Sequence, residues 1–139
     1  MKFDELISSL GVRLGISNLV FDENQSCIML KFDDDLVLFE KSDNKLVISA
    51  ELGSAIGKEN LYKQMLEASN AGLHTGLNNL GFDRDRLAFV LSFTLENIIE
   101  PEKLEARLMR FILAVRQWKK IVDSGGVIRE EPTPADFLV

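Results

Sequence analysis

Apolar residues open the chain at helical spacing. Phe3, Leu6, Ile7, Leu10 and Leu14 share one side of a 3.6-residue repeat, which predicts an amphipathic helix over 2–14. Gly11 and Gly15 mark its frayed end. Three short apolar runs follow, at 26–32, 35–41 and 45–52, and each reads as a strand. Asp33-Asp34 and Ser42-Asp43-Asn44 separate them; such residues bond their own backbone and tolerate tight bends. Connections this short make the three strands an antiparallel meander. A second helix is predicted over 58–71, closed by Asn70 and Gly72. Strands at 77–82 and 86–93 follow, joined through Asp83-Arg84-Asp85. A long last helix spans 101–123. Pro101 suits its first turn, where no amide hydrogen is needed. Glu100, Glu102 and Glu105 at its start and Lys119 and Lys120 at its end complement the helix dipole. Leu104, Leu108, Phe111, Val115, Trp118 and Val122 form its apolar stripe.

The order helix-strand-strand-strand-helix-strand-strand-helix is that of an α+β fold: a twisted antiparallel sheet packed with helices. Residues 1–123 read as a single domain. Residues 124–139, with Ser124-Gly125-Gly126, Pro132 and Pro134, read as a flexible C-terminal tail.

The strands carry more apolar residues than a sheet with one covered face requires. Ile28, Leu30 and Phe32 oppose Cys27 and Met29; Leu36 and Leu38 oppose Val37 and Phe39; Leu46, Ile48 and Ala50 oppose Val47. Either the sheet is covered on both faces by its own helices, or part of the second face meets another chain. The second helix shows the same excess. Leu61, Met65 and Ala68 make one stripe, and Tyr62, Leu66 and Ser69 another beside it. Such a helix is either core or buried between two subunits.

Composition narrows the function. The chain has 139 residues, 46% of them hydrophobic and 27% charged, enough for one core without staples. A formal net charge of -6 and a pI near 4.8 speak against nucleic-acid phosphates and anionic membrane surfaces as partners. The single cysteine, Cys27, excludes an intrachain disulfide and a Cys-rich metal site. Met1-Lys2-Phe3-Asp4-Glu5 lacks the basic-then-apolar layout of a signal peptide, and no apolar run approaches the ~20 residues needed to span a bilayer. The cytoplasm is the expected compartment, without membrane insertion.

Catalytic chemistry is hard to assemble from these residues. His74 is the only histidine, it lacks a nucleophile-elbow motif to serve, and it reads as a loop residue. Asp33-Asp34-Asp35 reads as a solvated turn. Asp22-Glu23-Asn24 lacks the glycine and distal glutamate of a calcium loop. Gly53-Ser54-Ala55-Ile56-Gly57-Lys58 is one residue short of a phosphate loop, and Glu59 replaces the required Ser or Thr. Lys103, Arg107, Arg110 and Arg116 read as the solvated face of the last helix. No catalytic residue, cofactor or metal is assigned, and an enzyme is not expected.

Several short motifs, in order, resemble the class I type III secretion chaperones, the Tir-chaperone (CesT-type) family. They are Phe21-Asp22-Glu23; then Cys27, Leu30 and Phe32-Asp33-Asp34; then Leu52-Gly53; then Leu66, Ala68 and Asn70; then Thr75-Gly76 and Leu80-Gly81-Phe82-Asp83; and last Phe111 and Trp118. The likeness runs over roughly residues 3–123. One departure is Leu77-Asn78-Asn79, where the family often has small residues after Thr-Gly.

The resemblance implies a homodimer built around the second helix and the adjacent late strand. It also implies a bacterial effector as client, whose N-terminal segment wraps the dimer in extended form. Strand addition and grooves for apolar side chains would hold that segment. On this reading Leu6, Leu10, Met29, Val37 and Phe39 are the effector-binding candidates, and Phe39→Asp should abolish client binding in a folded dimer. Leu61, Met65, Leu66 and Leu77 are the dimer-interface candidates. Contact with the secretion ATPase is left open. Two rivals also stay open: a YbjN-like binding or regulatory module of the same fold without a secreted client, and a small enzyme with an unrecognised site.

Overall fold

The structure, a computed structural model, describes residues 2–22, 24, 26–70 and 75–125. Its elements are α1 (Phe3–Leu14), β1 (Cys27–Phe32), β2 (Asp35–Ser42), β3 (Lys45–Ser54), α2 (Asn60–Ser69), β4 (Asn79–Asp83), β5 (Ala88–Leu95) and α3 (Pro101–Asp123). The predicted order holds. The boundaries move most at α2, which spans Asn60–Ser69 instead of 58–71, and at β5, which spans Ala88–Leu95 instead of 86–93; β4 starts at Asn79 instead of 77. The expected loop at His74 and the tail from 126 onward lie outside the described residues.

The five strands form one antiparallel sheet in the order β1-β2-β3-β5-β4. The meander follows from its turns. Phe32 pairs with Asp35 across Asp33-Asp34, and Asp33 adopts φ +57°, a left-handed conformation that aspartate tolerates better than most residues. Ser42 pairs with Lys45 across the second turn. In β3 the ladder shifts between Glu51 and Gly53. Gly53 has φ +144°, and a Cβ there would stand 3.0 Å from Val122 Cγ1 of α3. The glycine thus lets the bulge bend while the helix end packs against it.

All three described helices contribute to one core on one side of the sheet. Val37, Phe39, Leu46, Ile48, Leu91 and Phe93 supply the sheet's half. Leu6, Ile7 and Leu10 of α1 and the predicted stripe of α3 supply most of the rest. The stripe also includes Ile112, Ala114 and Ile121. Phe93 and Phe111 meet edge to face at 5.1 Å. Each fully buried Leu or Phe contributes roughly 1.5–3 kcal/mol against the unfolded chain. Strand burial alternates as a sheet with one covered face demands: in β2, Val37 and Phe39 are buried, while Leu36 is exposed and Leu38 partly so. Of the two readings of the apolar excess, the structure leaves the second face of the sheet without a packed helix among the described residues.

Candidate functional site

Strand register decides what the uncovered face carries. Met29 pairs with Leu38, Leu38 with Ser49, and Ser49 with Ser92. Because side chains alternate, Leu36, Val47 and Val90 share this face. The result is a trough of about 950 Å³ with an apolar floor. Met29 is 55% and Leu36 52% exposed. An apolar patch of this extent, framed by polar residues, is the kind that meets another chain.

Asp35, between the trough residues Asp34 and Leu36, turns to the helix-covered face with Val37 and Phe39. It was expected in a solvated turn, but it is buried beneath two cations of α3: Arg116 Nε donates to Oδ2 at 2.8 Å and Lys119 Nζ to Oδ1 at 2.7 Å. Arg116 also donates to Asp33 at 3.1 Å. Burial alone would push the Asp35 carboxyl up. The hydrogen bonds and charges of Arg116 and Lys119 outweigh it and hold the pKa below the ordinary carboxylate value. This clamp ties the β1–β2 hairpin to the end of α3.

A second apolar surface lies at the other edge of the sheet, where α2 meets β4. Tyr62, Phe82 and Phe89 form a triangle of edge-to-face rings with centroids 5.8–6.4 Å apart. Tyr62, Leu66, Leu80 and Phe82 line an apolar hollow of about 230 Å³. Leu66 is 75% and Phe82 49% exposed.

Leu77, just before β4, lines a separate hollow with Phe93, Ile99 and Arg107; it is 66% exposed and at φ +65°, a strained conformation for a bulky side chain. Polar contacts hold it there. Thr75 Oγ1 donates to the Asn78 carbonyl and Asn78 Nδ2 to the Thr75 carbonyl. Arg107 donates to Asn78 Oδ1 and to the Leu77 carbonyl, and its guanidinium lies 4.1 Å from the Phe93 ring centroid. Arg107 is therefore no part of a solvated face: burial, then the charge of Arg110, lowers its pKa.

The predicted site residues divide sharply. Leu6, Leu10, Val37 and Phe39 are each 0% exposed and belong to the core, so they present no surface to a client in this conformation. Met29 alone of the effector-binding candidates is exposed. Leu61 and Met65 are likewise buried, at 0% and 6%, whereas Leu66 and Leu77 point outward. Sequence reasoning missed Leu36, Leu38, Val47 and Phe82 as surface residues. The signal for the first two was present: a two-residue turn at Asp33-Asp34 places Met29 opposite Leu38, so Met29 cannot share a face with Val37 and Phe39.

Among the described residues, no cluster of three or more His, Cys, Asp or Glu side chains is arranged to hold a metal ion. No described helix is long and apolar enough to cross a membrane.

Comparison with known proteins adds two findings. The model of the Tir chaperone protein (CesT) family matches residues 5–119. Among solved structures, the chain resembles one in the ExsC-ExsE complex, with 20% identity, TM-score 0.72, and coverage of 86% of this chain and 92% of that one. It also resembles one in the HopA1-SchA chaperone-effector complex, with 16% identity, TM-score 0.72, and coverage of 85% and 93%. A third likeness is to the Yersinia pestis type III secretion chaperone SycH in complex with a fragment of YscM2, with 18% identity, TM-score 0.67, and coverage of 84% and 99%. At these identities the likeness is one of fold. No curated protein matches the sequence.

Proposed function

The chain belongs to the Tir chaperone protein (CesT) family, and from that premise we propose that it is a bacterial type III secretion chaperone. It binds a secreted effector through the effector's N-terminal segment and keeps it soluble and competent for export. The observation that carries the reading is the family match over a fold with one uncovered apolar sheet face. The similar chains solved in the HopA1-SchA chaperone-effector complex and in the complex of the type III secretion chaperone SycH with a fragment of YscM2 support it.

The client surface on this reading is Met29, Leu36, Leu38 and Val47, with the free edge of β1 beside it. A client segment lying there removes apolar area from water and loses its own conformational freedom, and a long interface offsets that loss. The α2–β4 surface, with Tyr62, Leu66 and Phe82, is the self-association surface of a homodimer, with Leu77 just before β4 as its further candidate, since an isologous contact needs one self-complementary patch. The protein works in the cytoplasm by binding and carries out no catalysis.

The test is affinity capture of the tagged full chain from cells expressing secretion genes, followed by mass spectrometry and limited proteolysis. The expected result is a stoichiometric secreted partner with a protected N-terminal segment. A clean dimer without a partner would instead favour a regulatory module of the same fold.

A further inference from the structure

The rim of the sheet trough is charged unevenly. Its lining includes Asp34, Glu40 and Asp123, and none of the three has a cationic partner among the described residues. The cations of the same lining are already engaged. Arg86 pairs with Glu51 at 3.0 Å, and Lys119 pairs with Asp35 at 2.7 Å. Lys31 shares the face at the outer strand but lies outside the trough lining. The trough is therefore an apolar floor under a net negative rim, and its field favours cations.

Two other occupants are disfavoured by the same field. The chain's own residues 126–139 contain Arg129 but also Glu130, Glu131 and Asp136. A second copy laid face to face would bring a second set of the same unpaired carboxylates.

We propose that this face selects a segment of a foreign chain in which apolar side chains are flanked by lysine or arginine. The apolar side chains cover Leu36, Leu38 and Val47. The long basic stems lie along the walls and carry their charges to Asp34, Glu40 and Asp123. This rests on the reading of the uncovered face as the client surface, and it adds the chemistry by which a client is chosen.

The test uses fluorescence anisotropy on the full chain with three labelled synthetic peptides of strand length: leucines interspersed with lysines, leucines interspersed with glutamates, and serines interspersed with lysines. The leucine–lysine peptide should bind at least about tenfold tighter than either other peptide at low salt, and the margin over the glutamate peptide should shrink as salt screens the rim. Asp34→Asn with Glu40→Gln should weaken it roughly threefold to tenfold. The matched pair Glu5→Gln with Glu102→Gln, which removes the same charge from the helical side, should leave it unchanged. Leu38→Asp separates seating from bulk attraction: an added negative charge would tighten a purely electrostatic complex, and the proposal requires weaker binding.

Equal affinity for the lysine and glutamate peptides, or equal effects of the two charge-removing pairs, would overturn the proposal. If Leu38→Asp abolishes binding that is indifferent to peptide charge, only the charge inference falls. If Leu38→Asp leaves binding intact, the assignment of this face to the client falls with it.

Discussion

Leu38 and Phe39 are consecutive on β2 and live in different worlds. Phe39 is fully buried against the helices. Leu38 faces the trough beside Met29, Leu36 and Val47. Within β2 the two faces are both apolar in sequence, Val37 and Phe39 on one and Leu36 and Leu38 on the other, yet one packs under the helices and the other stays uncovered. What separates them is not side-chain chemistry but register. The short Asp33-Asp34 turn fixes which residues of β1 and β2 share a face, and the helices cover only one.

The sharpest way to break the comparison is to place the same charge on each side of β2. Phe39→Asp puts a carboxylate where nothing can hydrate or pair it, and should cost at least about 4 kcal/mol and unfold the domain in a thermal melt. The earlier expectation of a folded Phe39→Asp dimer is thereby reversed by that residue's burial. Leu38→Asp, one residue away, should remain folded within about 1 kcal/mol of the parent. If both variants unfold, the uncovered face is structural and the contrast fails.

A smaller effect is expected at Asp35, the carboxylate clamped by α3. Replacing it by Asn should cost roughly 1–3 kcal/mol at neutral pH, read from urea melts. Its folded-state pKa is lowered, so its contribution is complete above the ordinary carboxylate value of about 3.9. The contribution is lost as pH falls through the lower folded value. Parent and Asp35→Asn should therefore converge in stability at strongly acidic pH; a gap that persists there would assign the effect to packing.

The α2–β4 edge sharpens the comparison from the other side. Leu66→Asp, at a residue 75% exposed, should change stability by no more than about 0.5 kcal/mol. It should convert a dimer into a monomer by light scattering; an unchanged mass would remove this surface from self-association. The smallest effect belongs to the exposed Arg13–Glu105 pair, 2.9 Å apart between α1 and α3. Arg13→Ala should cost at most about 0.5 kcal/mol in the same melts.

Element order was legible because its signals are local: helical spacing in α1, turn residues between strands, and the Pro101-to-Ser124 frame of α3. The site was only half legible. Apolar periodicity marks a face without saying which face the helices take, so Val37 and Phe39 were as plausible as Leu36 and Leu38 until register was followed through the turn. The same ambiguity placed Leu61 and Met65 beside Leu66 on α2, where a shift of one position separates core from surface. Asp35 and Arg107 were illegible for another reason. Their partners lie far along the chain, on α3 for Asp35 and at Leu77, Asn78 and Phe93 for Arg107, and no local pattern announces such pairs.

The central claim is that the uncovered face holds an effector. It is tested most directly by calorimetric titration of the N-terminal fragment of the co-purifying secreted protein into the parent and into folded Leu38→Asp. The account predicts tight binding to the parent and at least about tenfold weaker binding to the variant. Equal affinity for both would contradict it and move the client to another surface.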